Sequence, residues 1–176
     1  ILHHSAGNTH LLKTFAGGDV YFARHGGFGR GSNDLVATVH LTDAQLGLQF
    51  ATFQDNYLVG YTLHEMGHFW NGNQMMNHHW VEFLGLSGWV QSDTSPGANF
   101  IASTSIGDNW WYRVDAPFAS EYAKSKPLED FAESFAAYFL WRDNRPFYVA
   151  GSGVAGIPAK AQLIGRWVRS LPLYLE

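Results

Sequence analysis

Tyr57-Leu58-Val59-Gly60-Tyr61-Thr62-Leu63-His64-Glu65-Met66-Gly67-His68-Phe69-Trp70 is the stretch on which the reading of this chain turns. It contains no Pro, and Leu58, Val59, Thr62, Leu63, Met66, Phe69 and Trp70 recur at helical spacing. Asp55 or Asn56 is placed to cap its start. Asn71-Gly72-Asn73 is placed to stop it, since Gly and Asn tolerate the left-handed conformation. The spacing predicts a buried helix over 57–70. On it His64 and His68 share one face, about 6 Å apart along the axis. Two neutral imidazoles so placed can bind one Zn²⁺ between them. Glu65 leaves the helix beside them, within reach of a metal-bound water without being a ligand. This is the H-E-x-x-H pattern, whose Glu serves as general base. The competing reading is a helix with two core-facing histidines. Two His and a Glu buried on an apolar helix are costly unless something coordinates or pairs with them, which favours the metal.

The rest of the composition narrows what such a helix serves. The chain has 176 residues, the length of one domain, and 1–176 is read as a single catalytic unit, mature or excised from a longer protein. Apolar residues make up 46% and charged residues 15%, which excludes a disordered chain. A net charge of -4 with 11 Lys+Arg argues against a nucleic-acid partner, whose affinity would come from basic residues. No apolar run approaches ~20 residues, so no membrane-spanning helix is expected. Cysteine is absent, which removes disulfides, thiolate ligands and Cys nucleophiles. A metal must then sit on His, Asp or Glu.

Elsewhere the signals are weaker. Ile1 to Phe15 reads as a strand or short helix. Gly17 to Asp34 is punctuated by glycines around a short strand at Val20-Tyr21-Phe22. Within it, Gly26 to Asp34 faintly matches a calcium-binding Gly-Asp repeat, and a plain Gly-rich loop is the preferred reading. Leu35 to Leu41 is rich in β-formers and reads as a strand. As an exposed edge just upstream of the metal helix, it is the candidate to which an extended substrate would add. Gln74 to Phe118 reads as irregular, with Trp80–Leu86 open between helix and strand. His78-His79 reads as a surface pair in preference to a second metal site. Trp110-Trp111-Tyr112 reads equally as cleft lining or core. A second helix opens at Pro127-Leu128-Glu129-Asp130, with Pro in the first turn and acids that complement the dipole. It carries Phe131, Phe135, Tyr138 and Phe139 and ends near Asp143-Asn144. A last helix is expected from Pro158 to Ser170.

A catalytic zinc takes three protein ligands and leaves one place open. The metzincin arrangement puts a third His six residues past the second and a Gly at the third. Gln74 and Asn71 occupy those positions here, which excludes it. The one later acidic helix offers Glu129 and Glu133, a turn apart on one face, with solvated first-turn acids as the competing reading.

His64-Glu65-Met66-Gly67-His68, Glu121-Tyr122 and Glu129-Asp130-Phe131-Ala132-Glu133-Ser134-Phe135 together carry a resemblance. The chain resembles the gluzincin zinc metallopeptidases, and within them the group of anthrax lethal factor and the clostridial Pro-Pro endopeptidases. The likeness extends over about residues 35–145. It implies an α+β, zincin-like domain: a small mixed sheet packed on the metal helix, and a second helix carrying a Glu ligand. It implies one catalytic zinc on His64, His68 and Glu129, with Glu133 accepting the Nδ1–H of a ligand His. Tyr122, seven residues before Glu129, stands where that group has an oxyanion-stabilising Tyr. The implied activity is endopeptidase hydrolysis, Glu65 assisting attack of a zinc-bound water on a protein or peptide substrate. A monomer, secreted and bacterial, is the expected setting. The alternative is a zinc-binding interaction domain that has lost catalysis. Such a domain would need neither Glu65 nor Tyr122.

Overall fold

In a computed structural model, which describes residues 21–25, 32–33, 38–42, 55–72 and 77–170, the run around His64 is helix α1, Asp55–Gly72. Its centre, Leu63 to Gly67, is buried. Helix α2 spans Asn77–Ser87, α3 Pro127–Arg142 and α4 Pro158–Ser170. These are the four α-helices among the described residues. Short strands accompany them, and the described residues form a mixed α and β arrangement.

The pairing of α1 with α3 is the centre of the fold. Lys126 enters in extended conformation (φ -170°, ψ 163°), and Pro127, which lacks an N–H, takes the first turn, where helical N–H groups have no partner. Every side chain from Glu129 to Leu140 is buried. Phe131, Phe135 and Phe139 meet Leu63, Met66 and Phe69 from α1 in one core. Phe83 of α2 packs edge-on to Phe131 at 5.1 Å, and Phe135 lies 4.8 Å from Phe139. Gly67 sets how near the two helices come. A Cβ at that position would lie 2.9 Å from Ala132 Cα, so a side chain there would push α3 away. Trp80 stacks on Phe83 at 5.8 Å, and this packing gives Trp80–Leu86 a reason to be helical.

Two small sheets flank the helices. Strands β1 (Tyr21–His25), β2 (Ser32–Asn33) and β3 (Thr38–Thr42) form one, in the order β1-β3-β2. β1 runs parallel to β3 with Tyr21 opposite Thr38, and β2 runs antiparallel with Ser32 opposite His40. The strand expected at 35–41 is thus central rather than an edge, and the substrate-adding role cannot be its own. Neighbours already occupy hydrogen bonds on both of its sides. The second sheet, absent from the sequence reading, is β4 (Val90–Gln91), β5 (Phe100–Ala102) and β6 (Trp110–Arg113), in the order β4-β6-β5 and antiparallel throughout. Of the Trp110-Trp111-Tyr112 run, Tyr112 is buried, 5.2 Å from Trp89 and 5.0 Å from Phe118. Ile1 to Phe15 lies outside the described residues, as does the Gly-rich loop apart from Ser32-Asn33 in β2. So do the side chains of His78 and His79.

Asp130 is fully buried. It accepts hydrogen bonds from Ser87 Oγ and Trp89 Nε1, both at 2.9 Å, and pairs with Lys160 Nζ at 2.6 and 2.8 Å. Lys160, also fully buried, bonds the Pro117 carbonyl at 2.5 Å as well. One cluster thereby ties α3 to α4, to the end of α2 and to the chain leading into residue 118. Burial pushes the Asp130 carboxyl up and the Lys160 ammonium down, and their pairing opposes both shifts. Lys160→Met strands the carboxylate, so it is expected to cost about 3–5 kcal/mol. Urea denaturation measures this, and a loss below about 1 kcal/mol would show the cluster to be dispensable.

Candidate metal centre

The i,i+4 spacing on α1 points His64 and His68 toward the first turn of α3. The same spacing on α3 sends Glu129 and Glu133 back to them. His64 Nε2 lies 3.1 Å from His68 Nε2 and 3.1 Å from Glu129 Oε2, and His68 Nε2 lies 3.2 Å from that same oxygen. Three lone-pair atoms thus form a near-equilateral triangle. Ligand atoms held at ~2.0–2.1 Å around a tetrahedral ion would stand about 3.3 Å apart. Glu129 Oε2 is buried and makes no well-aligned hydrogen bond, although both imidazole nitrogens stand at ion-pair distance, and a cation would complete this arrangement. On both counts the donor set fits a zinc ion. Among the described residues, His64, His68 and Glu129 are the group able to hold a metal.

The surroundings give each ligand its orientation. His64 Nδ1 is 2.8 Å from Glu133 Oε1, which makes that nitrogen the N–H donor and leaves Nε2 its lone pair. Glu133 is 1% exposed, and its other oxygen accepts from Ser120 Oγ at 2.6 Å. The Tyr148 hydroxyl also donates to Oε1 of Glu133. Lys126 Nζ stands 3.6 Å from Glu129 Oε1, the oxygen turned away from the triangle. Solvated acids are therefore not what these two glutamates are.

Electrostatics follow from this packing. Burial opposes a charge on His64, yet the Glu129 and Glu133 carboxylates outweigh it and push its pKa up to about 9. Burial would raise the Glu129 carboxyl, but the two imidazoles hold it well below the usual range. A cation bound among these donors would balance the charge of the two carboxylates.

Glu65, 6% exposed, lies beside the triangle on α1. Tyr122 begins a 3₁₀ turn, Tyr122–Ser125, and its ring centroid is 5.9 Å from that of His64. The phenol is half exposed. Partial burial and the nearby Glu129, Glu65 and Glu133 carboxylates push its pKa up to about 12, so it stays a donor at neutral pH. The structure therefore brings His64, Glu65, His68, Tyr122, Glu129 and Glu133 together. Ser120, Tyr148 and Lys126 join them without any signal in sequence pattern. Tyr148 is 84 residues from His64 in the chain, and only the helix-breaking Pro146 marks its segment as a turn.

Comparison with known proteins agrees on the class. No curated protein and no solved structure matches the chain. Residues 42–154, more than half of it, match the sequence profile of a family described as "Putative zinc-binding metallo-peptidase". The matched span contains all six of those residues, and the chain belongs to this zinc-binding metallopeptidase family.

Proposed function

We propose that the protein is a zinc endopeptidase of gluzincin type, with His64, His68 and Glu129 as the ligands of one catalytic ion. The observation that carries this reading is the triangle of His64 Nε2, His68 Nε2 and Glu129 Oε2, with Tyr122 next to His64 and Glu65 near enough to act on the Tyr122 phenol. When bound, zinc supplies Lewis acidity, lowering the pKa of a coordinated water toward ~7 and polarising a carbonyl. Glu65 accepts the proton of the attacking water and returns it to the departing amine nitrogen. The Tyr122 hydroxyl donates to the oxygen on which negative charge collects. Glu133 keeps His64 in the Nδ1–H tautomer throughout. Lys126 pairs with the outer oxygen of Glu129, which would leave Oε2 to the ion. The substrate is a protein or peptide laid in extended form across the site. An extracellular setting follows from the same resemblance.

Profiling cleavage of a peptide library with zinc-loaded protein tests the reading, with metal-free protein as control. Zinc-dependent cleavage within peptides supports it. Tight zinc binding with no cleavage would leave the interaction-domain alternative standing.

The Tyr122 role has its own test. Tyr122→Phe is expected to lower kcat with little change in KM, because the hydroxyl matters only once charge develops on the carbonyl oxygen. Loss of one such donor costs roughly 2.7–4 kcal/mol in comparable sites. The phenyl ring preserves the contact with His64, so the fold should be unaffected. Steady-state kinetics on one good peptide decide, and a normal kcat would make Tyr122 a packing residue.

A further inference from the structure

A metal-binding imidazole is useful only in the right tautomer and orientation. Here both rest on Glu133, a carboxylate buried between α1 and α3. Such a carboxylate has about four lone-pair sites and stays ionised only if donors fill them. His64 Nδ1–H takes one on Oε1, Ser120 Oγ–H one on Oε2, and the Tyr148 hydroxyl a second on Oε1. Resting on the metal site proposed above, we infer that Tyr148 is a positioning residue of that centre. Its hydroxyl locks the carboxylate of Glu133, and through it the Nδ1–H tautomer and ring orientation of His64.

The path of the chain is built for this contact. After α3 the backbone turns back through Pro146 and lays the Tyr148 ring across α1. Gly60 leaves the room: a Cβ there would collide with that ring. Tyr57, one turn earlier on α1, holds the ring edge-on at 5.8 Å, and Phe147 supports it at 5.2 Å. The ring is thus fixed by packing, and the hydroxyl is left pointing at Oε1. Burial and the Glu133 charge both raise the phenol pKa, which keeps the group a donor. Packing alone would be satisfied by Phe. What the oxygen adds is the third bond to a carboxylate that itself orients a ligand.

The test is zinc affinity by chelator competition for wild type, Tyr148→Phe, Glu133→Gln and the double variant, with visible spectra of the Co²⁺-substituted forms. The Phe ring keeps the contacts with Gly60 and Tyr57, and thermal unfolding of the metal-free proteins checks the fold. Tyr148→Phe is expected to weaken zinc binding roughly 10-fold and to shift the cobalt ligand-field bands. In the Glu133→Gln background the same change should cost less than about 2-fold, because its route to the metal is already cut. An unchanged zinc affinity and cobalt spectrum in Tyr148→Phe would overturn the inference. So would an equal loss in both backgrounds. A wild type that binds zinc beside an unaffected Tyr148→Phe sinks only the role of Tyr148, whereas a wild type that binds none sinks the metal site and this role with it.

Discussion

Glu65→Gln is expected to leave zinc content and fold intact while lowering turnover by roughly 10²–10⁴. The residue sits on α1 between the two histidines, nearly buried, yet its charge reaches the Tyr122 phenol. It is therefore close to the reacting region without belonging to the triangle of donor atoms. Gln has the same shape and can still hydrogen-bond a water. It cannot take a proton from one. The variant thus removes the base and little else. Zinc content, thermal unfolding and kcat/KM on a single peptide should be measured side by side. Loss of activity together with loss of zinc would mean that Glu65 is structural. Full activity would require a different base.

Glu129→Ala should abolish tight zinc binding, while Glu133→Ala should weaken it roughly 10–100-fold. Glu129 contributes Oε2 to the triangle, at 3.1 and 3.2 Å from the imidazole nitrogens. Removing it leaves two ligands where a catalytic zinc needs three. Of the three donor residues Glu133 touches only His64, through Nδ1. Its loss frees the ring to rotate and to exchange tautomers but deletes no donor. A chelator titration in which Glu133→Ala is the worse variant would reverse the two roles.

How much of this the sequence discloses depends on the range of the determining interaction. α1 is legible because one apolar stripe, Leu58 to Trp70, repeats at the helical period over more than three turns. α3 and α4 are legible because Pro127 and Pro158 stand in first turns ahead of periodic apolar residues. The His64/His68 and Glu129/Glu133 pairs are visible because each is an i,i+4 spacing within one helix. α2 is less legible. Its polar start, Asn77-His78-His79, carries no acid in the first turn, and the contact of Phe83 with Phe131 that makes it a helix joins distant segments. β4, β5 and β6 are two to four residues long, too short for alternation to register. β3 reads as a strand, but its place between β1 and β2 depends on pairing that no local pattern encodes. Lys160 looks like a solvated residue of an amphipathic helix. Only the tertiary structure shows it paired with Asp130. Tyr148 and Ser120 carry no pattern at all, being ordinary residues that the chain returns to Glu133.

The central claim is that His64, His68 and Glu129 together hold one zinc ion, and elemental analysis after exhaustive dialysis at neutral pH tests it most directly. Wild-type protein should retain one zinc per chain and His68→Ala close to none. Equal zinc in the two proteins would contradict the assignment.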